Sequence, residues 1–231
     1  TDSGVETVAA QIPLLLNNGA GDPESEAQLN HICSVVPRLR ITSVSPNKST
    51  TLQAQDIIVA IADVNNPTYK EMRDVTTAYA DKDLPMEVMR TDAQGKTQRV
   101  QAMAHPTRSS DSDRILIGVA VALDAQHPIV AKTISTEEQA EALAIPRGAL
   151  ITQVGQTPIT NYFEMIKAIK AAQGQTIPIT WQHAGQSDTA QLKVVDAEQQ
   201  INIQPSLAEA IPLADLEEIH QANGLGAALV M

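Results

Sequence analysis

Residues 52–85 occur twice. An ungapped copy lies 93 positions downstream, pairing Leu52 with Ile145, Ile58 with Ile151, Ile61 with Val154, Tyr69 with Tyr162, Glu71 with Glu164, Met72 with Met165, Ala78 with Ala171 and Pro85 with Pro178. Five of these pairs, from the tyrosines to the prolines, are identities. One spacing that carries a strand, a turn, a helix and the proline opening the next strand constrains the fold more than any single motif. It implies two similar modules rather than one domain spread over 231 residues. Each copy is long enough to bury a core of its own.

The second copy reads as a glycine turn at Gly148, a strand over 149–154, a turn at Gly155-Gln156-Thr157-Pro158 and a helix from about Asn161. In the first copy the apolar run 56–61 is a buried strand, and the turn Asn65-Asn66-Pro67 starts a helix over 68–80. That helix puts Tyr69, Met72, Thr76 and Tyr79 on one stripe and Lys70, Arg73 and Thr77 on the next. Each copy ends in a hairpin: 86–90 with 97–103 around Asp92-Ala93-Gln94-Gly95, and 176–182 with 189–195 around Ala184-Gly185-Gln186.

The flanks are less regular. We expect a strand or short helix at 11–16, a helix over 24–31, a strand within 35–44, strands at 129–134 and 201–203, a short acidic helix over 137–143, and an amphipathic helix near 213–222. The polar stretch 105–113 reads as a linker. After it, 114–123 alternates bulky Ile115, Ile117, Val119, Val121 and Leu123 with small Gly118, Ala120 and Ala122, a strand with one bulky and one shallow face. The expected class is α+β, mostly β. The expected units are 1–106, 107–200 and a return segment, 201–231.

A net charge of −11 repels nucleic acid and anionic lipid, and 2% aromatic residues leave no base-stacking platform. Cys33 is the only cysteine, which excludes an internal disulfide and a cysteine-based zinc site. Its apolar neighbours mark it as a small core residue. No apolar run reaches the length of a membrane helix. Both ends, Thr1 and the apolar 224–231, look cut from something longer. His31, His105, His127, His183 and His220 include no pair at i, i+3 or i, i+4, and no HExxH, GxSxG, P-loop or GxGxxG occurs. The pairs Glu137-Glu138 and Glu217-Glu218 fit solvated helix faces. No catalytic residue, metal site or cofactor is expected in this chain.

The functional signal is geometric. A strand preceded by a small-residue segment and flanked by a helix describes a groove to which an extended peptide adds as a further strand. Ile117, Gly118, Val119 and Ala120 would supply backbone donors for a terminal carboxylate, because glycine lets successive N–H groups turn toward one anion. Phe163, Ile166 and Lys170 would line the helix side in the second copy, although the same spacing fits a core stripe equally well. The corresponding stripe of the first copy is more polar. The second copy is therefore the expected receptor for apolar chain ends.

Each copy resembles a bacterial PDZ domain. The family's stretch runs AGL, GD, an isoleucine two residues on, a valine three further and a glycine before a turn. Leu52, Asp56, Ile58 and Ile61 match it in the first copy, and Ala144-Ile145, Gly148, Ile151, Val154 and Pro158-Ile159 in the second. Gln55 and Asp63 stand where the first copy would have glycines, and Ala149 replaces the aspartate of the second. Ile117-Gly118-Val119 resembles the carboxylate-binding loop, and the first copy has no matching glycine loop upstream of Arg38. The resemblance implies two tandem PDZ-like domains, each a small twisted antiparallel sheet or partial barrel capped by helices.

A tandem of this kind is similar to the periplasmic region of site-2 proteases of the regulator-of-sigma-E type. The resemblance implies an extracytoplasmic part of a membrane protein that filters substrates for a zinc metalloprotease domain, with the zinc held outside this chain. Its partners would be an extended peptide or protein C-terminus and the parent protease. Alternatives are a non-proteolytic envelope PDZ adaptor and the PDZ region of a soluble serine protease.

Overall fold

The computed structural model describes residues 14–15, 29–46, 50–109 and 114–205. The expected helices at 24–31 and 213–222 fall wholly or mostly outside them. Of the first, His31 opens a strand.

The chain begins with β1 (Leu14–Leu15), β2 (His31–Ile32), β3 (Val35–Pro37) and β4 (Leu39–Val44). The first repeat follows as β5 (Ile57–Ile61), β6 (Val64–Asn65), α1 (Tyr69–Ala78), β7 (Leu84–Thr91) and β8 (Thr97–Ala104). Between the repeats lie β9 (Thr107–Arg108), β10 (Ile115–Leu116), β11 (Val119–Leu123) and β12 (Val130–Thr133). The second repeat is β13 (Leu150–Val154), β14 (Thr157–Pro158), α2 (Tyr162–Ala171), β15 (Thr176–His183) and β16 (Gln186–Lys193). Short strands β17 (Ile201–Asn202) and β18 (Gln204–Pro205) close it. All pairings are antiparallel, and the fold is α+β and mostly β.

The duplication holds at the level of single hydrogen-bonded pairs. In β5 and β7, Ile57 faces Met89, Ile58 faces Val88, Ala60 faces Glu87 and Ile61 faces Met86, with a bulge between Ile58 and Ala60. In β13 and β15, Leu150 faces Gln182, Ile151 faces Trp181, Gln153 faces Thr180 and Val154 faces Ile179, with a bulge at the same place. Both helices are capped by the residue ahead of their tyrosine. Thr68 and Glu71 form a reciprocal capping box, and Asn161 accepts from the Glu164 N–H.

Three left-handed positions show how the copies diverged. Gly148, Gly155 and Gly174 of the second copy, with φ of 82°, 58° and 76°, stand opposite Gln55, Ala62 and Asp81, with φ of 74°, 45° and 58°. The first copy thus holds the same backbone path with residues that resist it. The glycine replaced beside Asp63 belongs to Ala62, one position earlier than the sequence motif places it.

The connecting segments depart most from expectation. The stretch 105–113 contains β9, which pairs with β10, Ile115 against Arg108 and Leu116 against Thr107. Residues 114–123 are two strands broken at Ile117 and Gly118, because Gly118 takes φ 73° and reverses the chain. No helix forms over 137–143. Thr136 and Gln139 bond each other locally, and so short a segment does not repay helix nucleation.

Strand β11 pairs along its length with β4, Val119 with Val44 through Leu123 with Leu39, although it lies within 107–200. Reciprocally, β3 pairs with β12. Two crossing segments therefore bind the repeats together, and their apolar side chains merge into one cluster running from Ile32 to Ile203. The expected separate cores are replaced by this shared one. At the crossing, the Arg38 guanidinium donates to Asp124 at 2.8 Å, and the Asp124 N–H returns a bond to the Arg38 carbonyl at 2.8 Å. Tyr162 closes the junction, its hydroxyl on the Ile129 carbonyl and its N–H on the Ala125 carbonyl.

Candidate peptide-binding groove

The sheet of the first repeat leaves β11 next to a gap beneath α1. Among the described residues its second edge is paired only at Leu123, where Leu14 of β1 adds antiparallel. Among the described residues nothing pairs with this edge over Val119–Val121, where Ala120 is exposed and Ala122 beyond it is buried. Such an edge is stabilised when another chain supplies backbone partners. A groove of about 390 Å³ follows it, walled on one side by Tyr69, Met72, Arg73 and Thr76 of α1 and on the other by Ile117 to Val121.

The groove has one end built by a turn. β9 and β10 form a two-stranded ribbon against α1, and Gly118 then folds the chain back into β11. The Ser45 N–H donates to the Gly118 carbonyl at 2.8 Å and fixes that turn on β4. A bulge between Ala120 and Val121 breaks the expected strict alternation, and Val119 and Val121 remain half-buried at the groove.

Ile117, Gly118, Val119 and Ala120 therefore come together as the sequence suggested, but beside α1 rather than α2. Phe163, Ile166 and Lys170 line no part of this groove. Phe163 packs against the shared core, Ile166 is 8% exposed within it, and Lys170 is in solvent. The groove face of α1 maps in the second repeat onto Tyr162, Met165, Ile166 and Ile169, all buried. On that side the equivalent free edge is also used up. β3 pairs with β12 as β11 does with β4, and its other edge turns through Cys33 and Ser34 into β2.

Sequence reasoning overlooked Tyr69, Met72, Thr76 and Arg114 as groove residues. The first three already formed a stripe at helical spacing. The signal was the copy itself, since Arg73 and Thr76 stand where the second repeat has isoleucines, and a stripe that loses its apolar character in one copy has lost its burial there.

The groove helix is also tied to the second repeat. The Arg147 guanidinium bonds both carboxylate oxygens of Glu71 at 2.7 and 3.0 Å and the carbonyls of Asn65 and Asn66 at 3.0 and 2.9 Å. Burial works to raise the Glu71 pKa. The bonds from Arg147 and from the Thr68 N–H outweigh it, and the carboxyl is held below its usual range. At Asp124 burial is likewise outweighed by His127 and Arg38. The Tyr162 phenol, buried and facing Asp124, is pushed well above its usual range and stays a hydrogen-bond donor.

Among the described residues no group of three or more His, Cys, Asp or Glu side chains converges to hold a metal ion. No described helix is long and apolar enough to cross a membrane. No family model matches the chain, and no curated protein matches its sequence.

Proposed function

We propose that this chain is a peptide-binding tandem of two PDZ-like modules whose receptor groove lies in the first module, between β11 and α1. The observation that carries the reading is a strand edge without a partner among the described residues over Val119–Val121, ending at a glycine turn and faced by a helix. A peptide pairing antiparallel with β11 brings its C-terminal end to Val119 and Gly118, where a carboxylate meets backbone donors. Tyr69 and Met72 offer apolar wall to its side chains. One well-buried apolar anchor contributes about 1.5–3 kcal/mol. The second module, with its helix face buried and the corresponding edge paired to β2, serves as a rigid support.

The proposal extends to the parent. As a tandem similar to that of site-2 proteases, the chain would select which protein ends reach a membrane-embedded zinc protease domain. The residues described here do not fit zinc, so no hydrolytic step is assigned to them. A membrane segment carrying HExxH upstream of this chain would distinguish that setting from an envelope adaptor or a soluble serine protease.

The direct test is amide chemical-shift mapping with a peptide library. Shifts are expected at Gly118 to Val121 and along α1, and the substitution Val121→Glu should abolish them. Shifts confined to α2, or none with any peptide, would overturn the assignment.

A further inference from the structure

The two repeats differ in how the first turns of their helices are held. Glu71 and Glu164 are copies of each other, and each accepts a backbone N–H ahead of its own helix. Glu164 is bonded within its own turn, by the Thr160 N–H and hydroxyl. Glu71 is gripped in addition by Arg147 of the second repeat. That brace has no counterpart at α2, because Ala54 stands where the first repeat would carry the copy of Arg147.

The turn ahead of α1 is shaped for the same contact. Asn66 takes a left-handed φ of 40°, whereas Ile159, its copy, does not. This departure from the shared backbone path comes where the Asn66 carbonyl accepts from Arg147 at 2.9 Å, next to the Asn65 carbonyl at 3.0 Å. Gly148 leaves room for the approach, since a Cβ there would lie 3.1 Å from the Asn66 amide nitrogen. A costly local conformation persists where its surroundings hold it, and here the surroundings belong to the other repeat.

We propose that Arg147 is a positioning residue of the groove: it sets the first turn of α1 against β11, and so couples peptide binding by the first module to its contact with the second. The inference rests on the peptide-binding reading above and adds how that site is controlled. Glu71 lies in the chain between Tyr69 and Met72, the apolar wall of the groove, and its carboxylate closes the capping box with Thr68. A guanidinium that bonds both carboxylate oxygens fixes orientation as well as distance, which an ammonium does not. Without it the first turn keeps its cap but loses its tie to the second repeat. Part of the wall's order must then come from the peptide, at a cost in affinity. Linkage works in both directions: the clamp favours the peptide, and the peptide favours the clamp.

The test uses the full chain and a labelled peptide with apolar C-terminal residues, chosen from the library as one that shifts Gly118 to Val121. Fluorescence anisotropy should show Arg147→Ala weakening its binding about fivefold or more, with Arg147→Lys in between. Glu71→Gln keeps an acceptor for the Thr68 N–H and weakens the clamp alone. Added to Arg147→Ala it should change affinity little, because both act through one contact. Gly155→Ala strains a turn away from the groove, controls for lost stability, and should leave affinity unchanged. On the unaltered chain, saturating peptide should slow the exchange of the Arg147 guanidinium protons with water, a readout independent of whether any variant folds. Unchanged affinity in Arg147→Ala with shifts still at Gly118 to Val121, an equal loss in Gly155→Ala, additive losses in the double variant, or unchanged exchange would each overturn the coupling and leave the groove standing. No shift at β11 with any peptide would overturn both.

Discussion

Replacing Arg90 by alanine should be among the most destabilising single changes in the first repeat. Its guanidinium grips Asp56 with two bonds of 2.7 Å and also reaches the Thr51 carbonyl at 3.0 Å. The Asp56 side chain is 1% exposed and the Arg90 side chain 21%. Removing the arginine leaves a buried carboxylate that still accepts from the Gln53 N–H at 2.8 Å but has lost its counter-charge. The cost of such an orphaned charge is about 3–5 kcal/mol. For a chain of this length each kcal/mol corresponds to roughly 2–4 °C, so the midpoint should fall by about 6–20 °C. Asp56→Ala should cost less, because the partly exposed guanidinium can turn to water. The second repeat has already made the exchange, with Ala149 and His183 at the matching positions and Ala149 fully buried. The double variant Asp56→Ala, Arg90→His should therefore recover most of the loss seen in Arg90→Ala. Urea unfolding of the three variants gives the three losses to compare. A cost below about 1 kcal/mol for Arg90→Ala, or a double variant no better than that single one, would refute the argument.

Acid should weaken the fold in two steps. His31 is buried, which depresses its pKa despite the opposing effects of Glu138 and a backbone bond at Gln200. A depressed histidine favours the neutral form, so stability is full above its ordinary value of about 6.5 and declines as pH falls below it; His31→Gln should remove that step from a plot of melting temperature against pH. Asp124 and Glu71 are depressed carboxylates, so their contribution is present above the ordinary carboxylate range of about 4 and is lost as pH falls through their lower folded values; Asp124→Asn should flatten that second step. Gly155→Ala should destabilise by about 1 kcal/mol through its left-handed φ alone, since an added Cβ meets nothing within 4 Å. Gly148→Ala should cost more, because its Cβ would sit 3.1 Å from the Asn66 amide nitrogen of the other repeat; equal melting points for the two would contradict this. The Cys33 thiol, buried and pushed up to about 12, should resist alkylation in the native chain and react only after unfolding, which mass spectrometry reads directly.

The repeated unit was legible because its information is local. The apolar run 56–61 marked β5 and its copy marked β13, and the turn Asn65-Asn66-Pro67 together with the helical stripe marked α1 and, through the copy, α2. Gly148 and Gly155 fixed the turns. The copy then supplied the register, since equal spacing between strand and hairpin forces equal pairing. The sequence also singled out Gly118 as the residue able to reverse the chain beside a strand edge.

Only the tertiary structure decided which helix that edge faces. The alternation in residues 115–123 states which side chains are bulky, but a strand pairs through backbone N–H and C=O groups that every residue carries. Nothing in Val119 to Leu123 distinguishes β4 from a strand of the nearer repeat. The exchange of β3 and β11 between the repeats is settled by the Arg38–Asp124 pair and by the shared core around Ile129 and Tyr162, contacts whose partners lie far apart in the chain. The same long-range packing buries Ile166 under the second repeat and leaves Arg73 at an open groove in the first, so two copies of one sequence unit become a support and a candidate receptor.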